Sequence, residues 1–90
     1  MAALLSSLAD IRDSIESEPR HLRDPGLSRA LLVGLLVLAR YPEDGSYMRN
    51  ADVATELGLS DSTVHRYART LVTAGLLVRD PATRQCRLAR

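Results

Sequence analysis

The chain has 90 residues, a formal net charge of +1 and a hydrophobic content of 46%, which is enough for one small domain with a modest core. Phe and Trp are absent and Tyr occurs only three times, so the core must be built mainly from aliphatic side chains. No apolar run reaches the ~18–20 residues needed to cross a bilayer, which excludes a transmembrane helix.

The cysteine and histidine content argues against disulfides and metal sites. Cys86 is the only cysteine, which excludes an internal disulfide and favours a small hydrophobic side chain in a strand. A redox-sensing thiol is the alternative, although no second cysteine is present to resolve an oxidised form. His21 and His65 lack Cys or His neighbours at ligand spacing, so we expect neither metal nor cofactor. Residues 1–8 carry no basic segment, which is atypical of a secretory signal, and we expect a cytoplasmic protein.

Charge is distributed unevenly along the chain. Residues 1–59 contain six Arg and nine acidic residues, a balance of −3. Residues 60–90 contain six Arg against Asp61 and Asp80, a balance of +4. An acidic N-terminal part followed by a basic C-terminal third is typical of a protein in which one face contacts a polyanion.

The first predicted element is an amphipathic helix within residues 1–18, where apolar residues recur at spacings of four, three and four. Pro19 ends it, because the residue before a proline avoids the helical region, and residues 19–27 form a linker. The apolar stripe has three possible partners: its own domain, a second copy of the chain, or another protein. We expect a second copy, which makes these the candidate dimerisation residues: Leu4, Leu8, Ile11 and Ile15.

A strongly apolar helix follows the linker. Ser28 is placed to cap it, and the helix covers residues 29–40 before Pro42. Residues 46–49 then predict a very short strand in which Tyr47 is the packing residue.

The next segment has the spacing of a helix-turn-helix. Asn50 is placed to cap a first helix over residues 51–57. Ala54 stands where two helices must approach closely, and Gly58 stands where the first helix must end in a left-handed residue. Val64 and then Tyr67 begin the inner face of a second helix. The alternative is an ordinary pair of core helices joined by a tight turn.

Ser60 caps that second helix, which is predicted over residues 61–74. Two short strands, residues 76–79 and 85–88, then form a β-hairpin around a proline-containing turn. The predicted fold is mainly α with a small β-hairpin: a winged helix-turn-helix over residues 28–90, preceded by the extra N-terminal amphipathic helix.

The outward face of the second helix carries groups suited to the major groove of DNA. Arg can donate two hydrogen bonds to guanine O6 and N7, His can donate one to a base acceptor, and Thr can contact a thymine methyl group or a phosphate. The first residues of such a helix reach deepest, which favours base contacts by Ser62, Thr63, His65 and Arg66. Further along, Arg69 is favoured as a phosphate contact. The full set on this face is Ser62, Thr63, His65, Arg66, Arg69 and Thr70.

Other candidate DNA contacts lie in the hairpin and at the two helix starts. A basic wing can follow the phosphate backbone or enter the minor groove. The alternative is that its arginines only keep an edge hairpin soluble. The wing residues are Arg79, Arg84, Gln85 and Arg87, and the helix-start residues are Arg49 and Ser60.

Three segments of the chain resemble the N-terminal winged-helix domain of IclR-type bacterial transcription regulators: SRALLVGLLVLA, ADVATELGLSDSTVHRYARTLVTAGLLVRD and RQCRLA. The most specific part is Gly58-Leu59-Ser60 followed by residues 62–66, and the resemblance covers about two-thirds of the chain. It implies a dimeric DNA-binding module that reads a palindrome-like operator. It also implies base contacts by Ser62, Thr63, His65 and Arg66.

The resemblance covers the DNA-binding domain alone. Regulators of this type continue into a larger effector-binding domain, and the sequence ends at Arg90, so no small-molecule effector is identifiable. Catalytic motifs such as GxSxG, HExxH and the P-loop are absent, so we expect no enzyme. The sequence therefore predicts a homodimeric, sequence-specific double-stranded DNA-binding protein, a transcription regulator. The alternative is a winged-helix module for protein–protein interaction without DNA binding.

Overall fold

The computed structural model describes residues 25–89. Helix α1 spans Arg29–Arg40, α2 spans Asn50–Leu57 and α3 spans Asp61–Thr73. Strands β1, Leu77–Arg79, and β2, Cys86–Leu88, pair antiparallel. The described part of the chain is thus a winged helix-turn-helix, as predicted. The predicted N-terminal helix and its stripe (Leu4, Leu8, Ile11 and Ile15) lie outside the described residues.

Local side-chain chemistry fixes the ends of α1. The Ser28 hydroxyl accepts a hydrogen bond from the Leu31 N–H at 3.2 Å, so the predicted N-cap is confirmed. At the other end the helix stops at Tyr41, the residue before Pro42. None of the helices in residues 25–89 is long and apolar enough to cross a membrane.

The turn between α2 and α3 is built on Gly58, which adopts a left-handed backbone with φ 68° and ψ 30°. The Leu59 N–H donates to the Ala54 carbonyl at 2.9 Å and the Gly58 N–H donates to Thr55 at 3.3 Å. These two bonds close the helix end in a Schellman motif. The predicted turn glycine is confirmed, and it sets the angle at which α3 leaves α2.

The core lies where the three helices meet the hairpin. Its side chains are almost all aliphatic, and Tyr41 is the large exception, at 1% exposure. Burial raises the pKa of the Tyr41 phenol well above its ordinary value; the neighbouring Cys86 raises it further and Arg79 opposes the shift. Cys86 is fully buried in β2, as its hydrophobic interpretation predicted.

Asn50 does not cap α2, and this prediction is wrong. The helix begins at Asn50 itself, and its N-cap is Arg49, which makes no side-chain cap bond. The Asn50 amide oxygen instead accepts a hydrogen bond from the Tyr41 hydroxyl at 2.7 Å. A buried phenol needs an acceptor, and Asn50 is the residue within its reach.

The predicted strand over residues 46–49 is reduced to one bridge, between Met48 and Cys86. Both of its hydrogen bonds form, at 2.8 and 3.0 Å. The prediction that Tyr47 packs inward is wrong: Tyr47 is 41% exposed, and Met48 packs against the core in its place. Neighbouring residues of an extended segment point to opposite sides, so the bridge at Met48 turns Tyr47 outward.

The same substitution at two glycines is expected to have opposite effects. Gly34→Ala should raise the free energy of unfolding by about 1 kcal/mol, because alanine favours a helix interior. Its new methyl group would lie at van der Waals distance, 3.6 Å, from the Tyr67 ring. Gly58→Ala should lower the free energy of unfolding by about 1–2 kcal/mol, because alanine is strained at φ 68° although nothing lies within 4 Å of its methyl group. Urea denaturation of both variants measures the two signs, and equal effects would contradict this account of the turn.

Candidate nucleic-acid interface

Helix α3 separates a buried face from an exposed face. Val64 and Ala68 on its inner face are completely buried in the core. On the opposite side the predicted contact residues are exposed, except Thr63, which is half-buried. The exposed ones are Ser62, His65, Arg66, Arg69 and Thr70. The structure therefore brings the six predicted residues of this helix onto one accessible face.

Hydroxyl groups form a small network at the start of α3. The Ser60 hydroxyl accepts from the Thr63 N–H at 3.2 Å and donates to the Thr63 hydroxyl at 2.8 Å, while Ser62 lies 3.2 Å away. Ser60 is thus the N-cap of α3, as predicted, and its hydroxyl proton is already donated to Thr63. Thr63 accepts that proton, so its own hydroxyl proton is available for an external acceptor.

The middle of α3 presents two arginines without an ion pair to any residue in 25–89. Arg66 lies over the Tyr67 ring with its guanidinium carbon 5.9 Å from the ring centroid, which is a weak restraint. Thr70 donates its hydroxyl proton to the Arg66 carbonyl at 3.2 Å, so the methyl group and the lone pairs of Thr70 remain for contacts. Arg66 and Arg69 can therefore reach a ligand without breaking an existing ion pair within this part of the chain.

Arg49 is held by Asp52, which the sequence interpretation missed. The guanidinium Nε and Nη2 donate to the two carboxylate oxygens at 3.1 and 2.9 Å. These bonds hold the pKa of Asp52 below its ordinary value. The spacing of three residues at a helix start is the signal that predicts such a pair. A phosphate contact by Arg49 must therefore compete with an exposed carboxylate, and such pairs are weak.

The tip of the hairpin is held by Asp80. Its carboxylate accepts from the Ala82 N–H at 2.9 Å and from the Thr83 hydroxyl at 3.1 Å. The Arg84 N–H donates to the Asp80 carbonyl at 2.7 Å, and Arg84 adopts a left-handed backbone with φ 64°. Arg84 is the only non-glycine residue in 25–89 with positive φ. An arginine thus occupies a position that glycine or asparagine fills at lower cost.

Strand register separates the other two predicted wing arginines. Arg79 pairs with the buried Cys86, and cross-strand partners point to the same side, so Arg79 faces inward. Arg87 pairs with Val78 on the other side, where its guanidinium lies 5.5 Å from the centroid of the Tyr47 ring. Gln85 is half-buried beside the turn. The four predicted wing residues therefore do not share one surface.

A cleft of about 440 Å³ lies between α3, the hairpin and the start of α2, and we call it the basic cleft. Four of its lining residues are DNA contacts predicted from the sequence, but the sequence did not predict that they share a site. Asn50 and Asp61 complete the polar lining, and no local signal identifies them because three elements must meet first. The polar residues that line it are Asn50, Asp61, His65, Arg69, Arg79 and Arg84.

The model of the IclR helix-turn-helix domain matches residues 26–81, which is more than half of the chain and includes α1, α2, α3 and β1. No curated protein and no solved structure matches the chain.

Proposed function

The chain belongs to the IclR helix-turn-helix domain family, and we propose that it is a sequence-specific double-stranded DNA-binding protein that regulates transcription. The observation that carries the proposal is the exposed face of α3. Two of its arginines have no ion-pair partner in residues 25–89, and they lie beside accessible hydroxyl and imidazole groups. We place the protein in the cytoplasm, where bacterial DNA is found.

Helix α3 acts as the recognition helix in this proposal. The major groove admits an α-helix, and the first turns of the helix reach the base edges. Thr63, His65 and Arg66 read bases together with Ser62, and Arg69 contacts a phosphate. Ser60 has a smaller role than the sequence predicted, because its hydroxyl proton holds the start of the helix.

The hairpin acts as the wing, and Arg84→Gly separates its charge from its backbone strain. Glycine adopts φ 64° without strain, so we expect the free energy of unfolding to rise by about 1 kcal/mol. Binding should weaken alike on all DNA sequences, and the slope of log K against log salt should flatten by up to about one unit. Titrations at several salt concentrations measure the slope. An unchanged slope would show that Arg84 does not touch DNA.

We propose that the protein binds as a homodimer and that residues 4–15 supply its contact. A stripe of leucine and isoleucine needs a partner surface, and two copies present two recognition helices to half-sites about 34 Å apart or a multiple of it. Leu27 and Leu31, which follow this stripe in the sequence, are 44% and 64% exposed, so a second copy could also cover these apolar side chains.

Leu8→Glu combined with Ile11→Glu is therefore expected to give a folded monomer, because four charges at a symmetric contact repel each other. Sedimentation of the wild type and the double variant at tens of micromolar measures the mass. A monomeric wild type, or a double variant that stays dimeric, would rule out this role.

The second candidate function is a winged-helix module that binds another protein. The exposed Leu27 and Leu31 favour it, because apolar surface of this kind occurs at protein contacts. Salt dependence distinguishes the two functions. Fluorescence anisotropy with a labelled duplex should show binding that weakens steeply as salt rises, because phosphate contacts release counterions. Absence of duplex binding at low salt would favour the second candidate.

A further inference from the structure

The basic cleft brings together side chains from elements that are far apart in the sequence. Helix α3 contributes Asp61, His65 and Arg69, the hairpin contributes Arg79 and Arg84, and α2 begins at its edge. Three arginines and one aspartate line the cleft, which leaves an excess of two positive charges when His65 is neutral. The first residue of α2 also lies here, and the start of a helix carries a partial positive charge.

Arg79 makes this cleft different from an ordinary basic surface. Its Nε and Nη2 atoms are buried, and neither has a hydrogen-bond partner among residues 25–89. A buried N–H group without an acceptor costs free energy, and a buried charge costs more. Strand register places this side chain on the inner side of the hairpin, beside Cys86. These two atoms are closed to solvent, so an anion in the cleft would offset the positive charge of the guanidinium through its electric field, without accepting a hydrogen bond from them.

We propose that the basic cleft binds one backbone phosphodiester of the DNA duplex. This inference rests on the proposed function and adds a specific site to it. A phosphodiester carries one negative charge, which three arginines can balance in the presence of Asp61. Arg69 lines this cleft and also the neighbouring surface with Arg66 and Thr70, so the cleft is continuous with the outer face of α3.

The site would connect the wing to the recognition helix. A phosphate held by Arg69 from α3 and by Arg79 and Arg84 from the hairpin joins two elements that otherwise meet through the core. It would fix the rotation of α3 in the groove, and thereby the register in which its side chains meet the bases.

The test is a scan in which neutral methylphosphonates replace single phosphates in the duplex that the protein selects from a random library. At one position in each half-site, the wild type should lose about tenfold in affinity, as expected for charge-assisted hydrogen bonds. Arg79→Met and Arg69→Met should each bind the unmodified duplex more weakly than the wild type. Replacement of the phosphate at that position should then cause no further loss of affinity in either variant. Arg66→Ala is the matched control: it changes the same helix outside the cleft, so it should keep the full loss.

Thermal unfolding of the variants serves as the control for their folding. Arg79→Met should keep or raise the thermal unfolding midpoint, because a flexible apolar side chain replaces a buried guanidinium that lacks an acceptor in residues 25–89. Should this variant fail to fold, the exposed Arg69→Met carries the test alone.

The outcomes separate the site from DNA binding itself. In one outcome, the variants Arg79→Met and Arg69→Met lose as much affinity as the wild type at every replaced phosphate. That result would overturn the phosphate site and leave DNA binding intact. Failure to select or bind any duplex would overturn both. Addition of inorganic phosphate distinguishes the source of the anion. Phosphate that shifts the Arg79 Nε–H resonance without competing with the duplex would assign the cleft to a free anion and overturn the proposal.

Discussion

Replacing Arg66 with alanine is expected to weaken binding to the preferred duplex by about 1–3 kcal/mol and to relax the choice of base at one position of the site. Arg66 lies on the exposed face of α3, and only a cation–π contact with Tyr67 restrains its guanidinium among the described residues. A guanidinium that forks onto guanine makes two hydrogen bonds that another base cannot reproduce. Competition titrations with duplexes that carry each base at each position measure both effects.

The matched comparison is Arg69→Ala, three residues further along the same exposed face. If Arg69 contacts a phosphate, Arg69→Ala should weaken binding to preferred and random duplexes by the same factor. If Arg66→Ala also gave equal losses on the two kinds of DNA, Arg66 would be a phosphate contact and the proposed base reading would be wrong.

Ala54→Leu is expected to lower the free energy of unfolding by about 1–3 kcal/mol through overpacking. Ala54 is 1% exposed at the junction of α2 with the core, and its carbonyl accepts the Leu59 N–H that closes the turn. Three added carbon atoms must displace either the facing helix or this turn. The cost is a large part of the stability of so small a domain. Urea denaturation measures it.

Ala51→Leu is the control on the same helix. Ala51 is exposed, and leucine and alanine have similar helix propensities, so the free energy of unfolding should change by less than about 0.5 kcal/mol. A similar loss in both variants would mean that leucine disturbs α2 itself and that close approach at Ala54 is not the cause.

The parts of the fold that local chemistry decides were predictable from the sequence. Ser28 and Ser60 cap their helices because a hydroxyl before an apolar helical repeat satisfies the first free N–H groups. Gly58 ends α2 because a left-handed residue is needed there and glycine adopts it without strain. The apolar period of α3 also predicted which of its residues face outward.

The parts that depend on distant partners were not predictable. Asn50 has the composition of an N-cap, but Tyr41 approaches from the end of α1 and takes its side-chain oxygen. Arg79 has the composition of an exposed wing residue, but pairing with Cys86 turns it inward. Tyr47 has the size of a core residue, but the bridge at Met48 turns it outward. In each case the long-range contact outweighs the local preference.

Whether this domain reads DNA sequence is tested by a comparison of two affinities. Duplexes are selected from a random library with the wild-type protein, and the enriched sequence and a scrambled version are then titrated at physiological salt. We predict an enriched sequence bound at least about a thousandfold more tightly than the scrambled duplex, within the range of specific DNA-binding proteins. Selection without an enriched sequence, or equal affinities for the two duplexes, would contradict the claim.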